Sequence, residues 1–360
     1  METDAFTIPK RIDSIQALRC FLALGVFLSH FEAFAATGIG FSMPVYIFYT
    51  LSGFFVMLST QSAESQRGFL RRRLIRLLPL YWLVTLFTFA LSRIAPKLAG
   101  FEASVPQLIK SMLCLPFSKD AMMTGGERLR PLVGPAHTLE VEVLFTLIFA
   151  VCLLINKKHR GKIAFAVCAA LFAAGETSYK MHFHFRTDFS EFYIRHSRAA
   201  WLYFAAGILI FAITKRMADK KLSLSKTNVI SAACISAFLV FAAGCVSLFG
   251  KIDPDIWLIA QALTGALLIT GLIGLSKEKS RCPRLLVIFG DMSFSFFLLH
   301  YYAVKLAERL FDASNIGLRT AGAALFALCL SLAAAAISHE LIEKRLTRIL
   351  LKKALPANKS

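Results

Sequence analysis

Ten apolar runs, each near 20 residues long, divide this chain at about 15–36, 41–60, 75–95, 137–155, 163–178, 199–214, 228–249, 256–275, 285–306 and 317–341. Roughly 20 apolar residues carry a helix across the hydrocarbon of a bilayer, so the runs predict transmembrane helices. The chain is 57% hydrophobic and contains 33 Phe among its 360 residues. A soluble fold of that length cannot hide so much apolar surface. The expected fold is all-α, a polytopic integral membrane helical bundle of about ten spans.

The connections alternate in character. One set holds Lys10-Arg11, the stretch from Arg67 to Arg76, Lys157 to Lys162, Lys215 to Lys226, Lys277 to Arg284 and the tail from Lys344. These carry 26 of the 41 basic residues, and basic loops face the cytoplasm. Both termini are therefore expected to be cytoplasmic. The expected division is a cytoplasmic segment 1–14, a membrane domain 15–345 and a basic tail 346–360.

A net charge of +19 would raise nucleic-acid binding in a soluble protein. Here the charge lies in short interhelical loops, and no soluble domain exists to carry that function. The eight cysteines fall mostly in apolar runs and form no CxxC pair, so free buried thiols are expected. Ala33-Phe34-Ala35 loosely resembles a signal cleavage site, but Asp4 and Asp13 precede the run, and Arg19 and His30 interrupt it. The run is read as a retained helix. In the long loop 96–136, the segment 105–115 is too short to span and reads as an interfacial or re-entrant helix.

Polar residues inside apolar runs are costly and mark functional interiors. Arg19 and His30 lie eleven positions apart in the first run, about three helical turns or roughly 16 Å, and so share one face. An unprotonated imidazole there can act as a general base toward a hydroxyl, or as packing glue. Arg19, nearer the basic end, suits an anionic group of a cytoplasmic ligand or lipid phosphate. Arg73 and Arg76 enter the third run one turn apart, two guanidinium forks suited to a phosphorylated ligand.

Glu140 and Glu142 sit about 200° apart on a helix, so one is expected to face inward with a partner and the other to lie near the interface. Ser293 and His300 share a face of the ninth run, with interhelical hydrogen bonding as the plainer role. His339 and Glu343 form an i,i+4 helix-end pair. His182-Phe183-His184 could be half a metal site, but no companion ligand stands at recognisable spacing, so no metal is expected. No Walker, GxGxxG, HExxH or GxSxG motif occurs.

In order, these segments resemble the membrane acyltransferase-3 superfamily. Arg19 to His30 is similar to its Arg-x(10)-His signature, and Leu51-Ser52-Gly53-Phe54-Phe55-Val56-Met57 to its second helix. Arg73-Leu74-Ile75-Arg76 with Pro79-Leu80-Tyr81-Trp82 resembles its R-x-x-R and P-x-Y-W segment. Thr138-Leu139-x-x-Glu142-x-x-Phe145, Ser293 to His300 and Ile342-Glu343-Lys344 resemble three later motifs. The Ile15-Gln16-x-x-Arg19 opening looks closest to the branch that modifies exopolysaccharides. Tyr46 stands where an acidic residue is common, His137 where Trp is usual, and Phe294 and Phe297 where Tyr is usual.

The resemblance implies a plasma-membrane enzyme that moves an acyl group, commonly acetyl from acetyl-CoA, to a hydroxyl of a lipid-linked or surface glycan. No bound cofactor is expected, and acyl-CoA is a substrate. Arg19, Arg73 and Arg76 would bind the donor and His30 would be the base. Glu142 would orient His30 or contact the acceptor. Ser293, His300 and Glu343 would contact the acceptor or serve structure. The competing reading is a transporter or flippase for a glycolipid or acylated metabolite, with the buried polar residues as its pathway. It lacks the paired repeats such folds show.

Overall fold

The computed structural model describes residues 8–9, 11–31, 43–61, 65–96, 101–116, 131–220, 222, 224–247, 254–274, 282–311 and 318–354, with side chains at 224, 225, 239–247, 254, 255 and 318 left aside. Lys10, Ala33-Phe34-Ala35, most of Lys277 to Arg284, parts of loop 96–136 and residues 355–360 lie outside the described residues. What is described is helical, with no strand.

Each of the ten apolar runs becomes a helix. They are α1 (Asp13–Ser29), α2 (Met43–Ser59), α3 (Gln66–Ile94), α5 (Ala136–Ile155), α6 (Arg160–Lys180), α7 (Arg198–Asp219), α8 (Leu224–Ser247), α9 (Pro254–Gly274), α10 (Arg284–Phe311) and α11 (Leu318–Ser338). Among the described residues, seven helices are long and apolar enough to cross a membrane, and Met43–Ser59 is a shorter apolar helix. The protein is an all-α polytopic membrane protein. Leu83, Leu86, Phe87, Leu154 and Leu263 are exposed along these helices, the surface that lipid covers.

The basic entry before the third run is part of its helix. Ser65 caps α3 by accepting from the Gly68 amide at 3.1 Å, so the arginines at 71–76 ride on a continuous rod into the bundle. The short α4 (Val105–Met112) forms within the segment 105–115 that was read as a helix too short to span. Ser104 and Gln107 close a capping box at its start, and α3 holds its end through Tyr81 to the Ser111 carbonyl (2.7 Å) and Trp82 to the Met112 carbonyl (2.8 Å). Val105, Ile109 and Leu113 stay exposed, an apolar stripe suited to the bilayer surface.

Helix α2 packs on α7, α1 on α10, α10 on α11, and α6 on α7. Phe54, Phe145, Phe149, Trp201 and Phe204 fill the main core, and Phe145 stacks on Phe204 with centroids 3.8 Å apart. The α2–α7 contact depends on two glycines. A Cβ at Gly207 would lie 2.0 Å from the Thr50 carbonyl oxygen, and one at Gly53 would lie 2.4 Å from that of Phe204. Small residues let membrane helices approach this closely. Gly207→Ala is expected to destabilise the bundle by about 3 kcal/mol or more, since backbone rather than a pliable side chain must move. Thermal unfolding in detergent checks it, and an unchanged melting temperature would sink the argument.

The cysteines are free among the described side chains: Cys20, Cys114, Cys152 and Cys168 are buried, while Cys329 is exposed. Burial of all eight was expected. Cys329 departs because α11 packs its alanines, Ala323, Ala327 and Ala335, inward against Phe296 and Val304.

Between α6 and α7, the π-helical turn Glu191–His196 gathers charge. Glu191 accepts from His184 Nδ1 at 2.8 Å and the Phe185 amide at 2.8 Å, with Arg195 at 3.2 Å and His196 at 3.5 Å. His184, considered above as half a metal site, has this carboxylate as its partner. Burial raises the Glu191 carboxyl, but the donors from His184 and Phe185 and the Arg195 charge outweigh it, leaving the group below its ordinary value. Burial pushes the His196 ring down, against the pull of Glu191. Both depressed values stabilise the fold above the unfolded values and lose that stabilisation as pH falls. Acid lability is therefore expected in two stages, starting near pH 6.5 for His196 and near pH 4.3 for Glu191. In melting curves against pH, His196→Gln should flatten the first stage and Glu191→Gln the second. Identical curves for wild type and both variants would refute the assignment.

Candidate active site

A cavity of about 840 Å³ opens between α1, α2, α3, α5 and α10. Its polar lining includes Arg19, Arg73, Arg76, Glu142, Ser52 and Ser293. Five of the residues singled out in the sequence thus share one wall, although they come from four helices.

Helix periodicity puts them there. On α1, Gln16 and Arg19 face the cavity together with Ile12, the residue just before the helix, the i, i+3 pairing of one helix face. Helix α10 approaches this face closely, since a Cβ at Gly290 would meet the Gln16 carbonyl oxygen at 1.8 Å. Arg19 donates to Gln16 Oε1 at 3.1 Å, which props the guanidinium without neutralising it. At one end of the lining, Arg11 reaches Asp291 at 2.9 Å.

Arg73 is held differently. Its Nη2 donates to Glu142 Oε1 at 2.9 Å and to Ser52 Oγ, and its Nε donates to Thr146 Oγ1 at 3.0 Å. Ser52 in turn donates to Glu142 Oε1 at 3.0 Å, and Thr146 to the Glu142 carbonyl at 2.8 Å. Ser52, Arg73 and Glu142 therefore tie α2, α3 and α5 together around one ion pair. A matched, multiply bonded arginine is a rigid fixture, and among the described residues Arg19 and Arg76 are the arginines of the lining without a carboxylate at salt-bridge distance.

Glu140 differs from its expectation. It is fully buried rather than interfacial, and neither carboxyl oxygen has a hydrogen-bond partner among the described residues. It turns away from Glu142 toward Tyr81, Cys114 and Tyr193, because α5 is enclosed on that side by α3 and the segment after α4. The two glutamates do occupy opposite faces.

The histidines lie beyond the cavity. Neither His30 nor His300 contributes to the lining, which stops at Phe294 and Phe297 on α10. The Phe297 ring sits 6.1 Å from that of His300, and His300 Nε2 meets His30 Nδ1 at 3.3 Å. Glu142 does not orient His30, since its partners are Arg73 and Ser52. Sequence reasoning missed Ser52, Thr146 and Phe297 as part of the site. Ser52 and Phe297 stand inside quoted motifs, so position in a motif was the one available signal.

Ser293 borders the cavity but is buried, and its enclosed hydroxyl has no hydrogen-bond partner among the described residues. Glu343 is elsewhere. It accepts from the Ser295 amide at 2.9 Å and from the Ser295 hydroxyl, with His339 at 3.2 Å, and so clamps the π-helical segment His339–Leu346 to α10. Tyr46, the departure from an acidic residue, stacks on Tyr203 at 4.7 Å.

Comparison with known proteins bears on this arrangement. A family profile described as an acyltransferase domain matches residues 12–339. The exopolysaccharide production protein ExoZ of Rhizobium meliloti (strain 1021) is 26% identical over 310 residues, covering 84% of this chain and 88% of that protein. The acyltransferase MdmB of Streptomyces mycarofaciens is 26% identical over 388 residues, covering 94% and 92%. No solved structure matches.

Proposed function

The chain belongs to the acyltransferase-3 family, and from that premise we propose that it moves an acyl group, acetyl in the simplest case, from cytoplasmic acyl-CoA to a hydroxyl of a cell-surface or lipid-linked glycan. The plasma membrane is the compartment in which such a donor and acceptor meet. The observation that carries this reading is the cavity itself. Its charged lining is rich in arginine, and along α10 that lining ends at Phe297, whose ring lies beside that of His300.

Acyl-CoA is a polyanion with a long, partly apolar arm. Arg19 and Arg76 bind its phosphates, and the rigid Arg73–Glu142 pair shapes the wall between them. The arm runs past Phe48, Phe55 and Leu139 toward Phe297. His30 takes the proton from the acceptor hydroxyl as its oxygen attacks the thioester carbonyl. The thiolate of CoA leaves with that proton. Relatedness to an exopolysaccharide production protein supports a glycan acceptor.

The test is reconstitution in lipid vesicles with acyl-labelled acyl-CoA and an extracellular-type polysaccharide. Label should appear as ester on the polysaccharide. Movement of acceptor or donor across the bilayer without ester formation would overturn the proposal in favour of a transporter.

A further inference from the structure

The hydrogen bonds around His30 assign its tautomer. Nδ1 lies 2.8 Å from the Val26 carbonyl oxygen, 3.5 Å from Ser29 Oγ and 3.3 Å from His300 Nε2. Ser29 donates its own proton to the Val26 carbonyl at 2.6 Å, so its oxygen can meet Nδ1 only as an acceptor. On His300, Nδ1 lies 3.0 Å from the Phe296 carbonyl oxygen. A carbonyl accepts and never donates, so His300 carries its ring proton on Nδ1 and offers a bare lone pair at Nε2. Three acceptors therefore surround His30 Nδ1, where a bare nitrogen would meet only lone pairs: His30 holds a proton on Nδ1, directed between the two nearer acceptors, Val26 and His300, and leaves Nε2 bare.

The surroundings keep His300 in that role. It is 1% exposed, stacks on Phe296 at 5.7 Å with an 11° interplanar angle, and meets His30 edge-on at 76°. Buried polar atoms are hydrogen-bonded, and both of its ring nitrogens already are.

We propose that His300 is a positioning residue: it fixes His30 in the Nδ1–H form, so that Nε2 is the atom that accepts the hydroxyl proton. The proposal rests on the reading of His30 as the base. The acceptor O–H bond breaks as its proton joins Nε2, and the oxygen forms the new ester bond as the C–S bond breaks. The proton then passes from Nε2 to the departing thiolate, which restores neutral His30. Through both steps the Nδ1 proton stays between Val26 and His300, whose lone pair stabilises the transient imidazolium.

Asparagine and glutamine separate this role from packing. Glutamine at 300 reaches the position of Nε2 and can accept from His30 Nδ1. Asparagine reaches only the position of Nδ1 and leaves that acceptor empty. In the full-length protein in vesicles, His300→Gln is expected to keep turnover within roughly tenfold of wild type, while His300→Asn loses about 100-fold in kcat with KM for acyl-CoA unchanged. The 15N spectrum of selectively histidine-labelled wild-type protein should show His30 with a protonated Nδ1 and a bare Nε2. His300→Asn as active as His300→Gln, or a wild-type spectrum with the proton on Nε2, would overturn the tautomer assignment. Retained transfer in His30→Ala, with the expected spectrum intact, would instead overturn the base reading on which the role depends.

Discussion

His30→Ala is expected to reduce acyl transfer by roughly 10²- to 10⁴-fold, the range over which a positioned general base acts. The same change should leave KM for acyl-CoA near its wild-type value, because His30 does not line the cavity that binds the donor. Insertion and folding should also survive. The His30 side chain is only half-buried, and the packing of that end of α1 rests on Phe27, which meets Phe31 and Phe296. The variant therefore separates chemistry from binding. The measurement is steady-state transfer in vesicles, with the quantity of folded protein fixed by its melting curve. Full activity would remove His30 from the mechanism, and a large rise in KM would move it into the donor site.

The second large effect concerns the Arg73–Glu142 pair. Both side chains are mostly buried, at 17% and 28% exposure. Removing either partner leaves the other charged and mostly buried in the protein. Arg73→Leu or Glu142→Leu alone is expected to cost about 3 kcal/mol, whereas replacing both with leucine should recover most of that loss. Transfer activity should be lost in all three, since the double variant restores packing but not the wall beside the donor phosphates. Melting curves of the four proteins form a double-mutant cycle. Strictly additive losses would mean that the pair is not coupled and that Ser52 and Thr146 hold Arg73 by themselves.

The helices were legible because lipid imposes a simple rule on sequence. The runs at 41–60 and 317–341 became Met43–Ser59 and Leu318–Ser338, and the basic alternation lay between them. The third helix began nine residues earlier than its apolar run, because hydropathy ignores a charged turn that is nonetheless helical and capped by Ser65. The grouping of Arg19, Arg73 and Arg76 at one end was legible from the basic loops beside them, whereas Glu142 was expected beside His30 or the acceptor and instead joins the arginines. The bonding within the group was not legible. Whether an arginine meets a phosphate or a glutamate depends on helix rotation, which no local pattern encodes. The His30–His300 contact joins residues 270 positions apart, and each alone read equally well as interhelical glue. Glu140 shows the converse limit, since the helix angle that separates it from Glu142 says nothing about what encloses the far side of α5.

The aromatic end of the cavity has a consequence for the cell's energy economy. The lining stops at Phe294 and Phe297, with the histidine pair beyond them. A reaction that draws one substrate from the cytoplasm and another from the opposite face could readily have required a continuous column of water. In the proposed reaction, the lining of the donor cavity ends along α10 at hydrocarbon rings. An acyl group can cross a seal of such rings, but hydrated protons and sodium ions cannot do so without shedding their water. Under the proposed function, such a seal would let a cell decorate its surface while its membrane stays electrically charged.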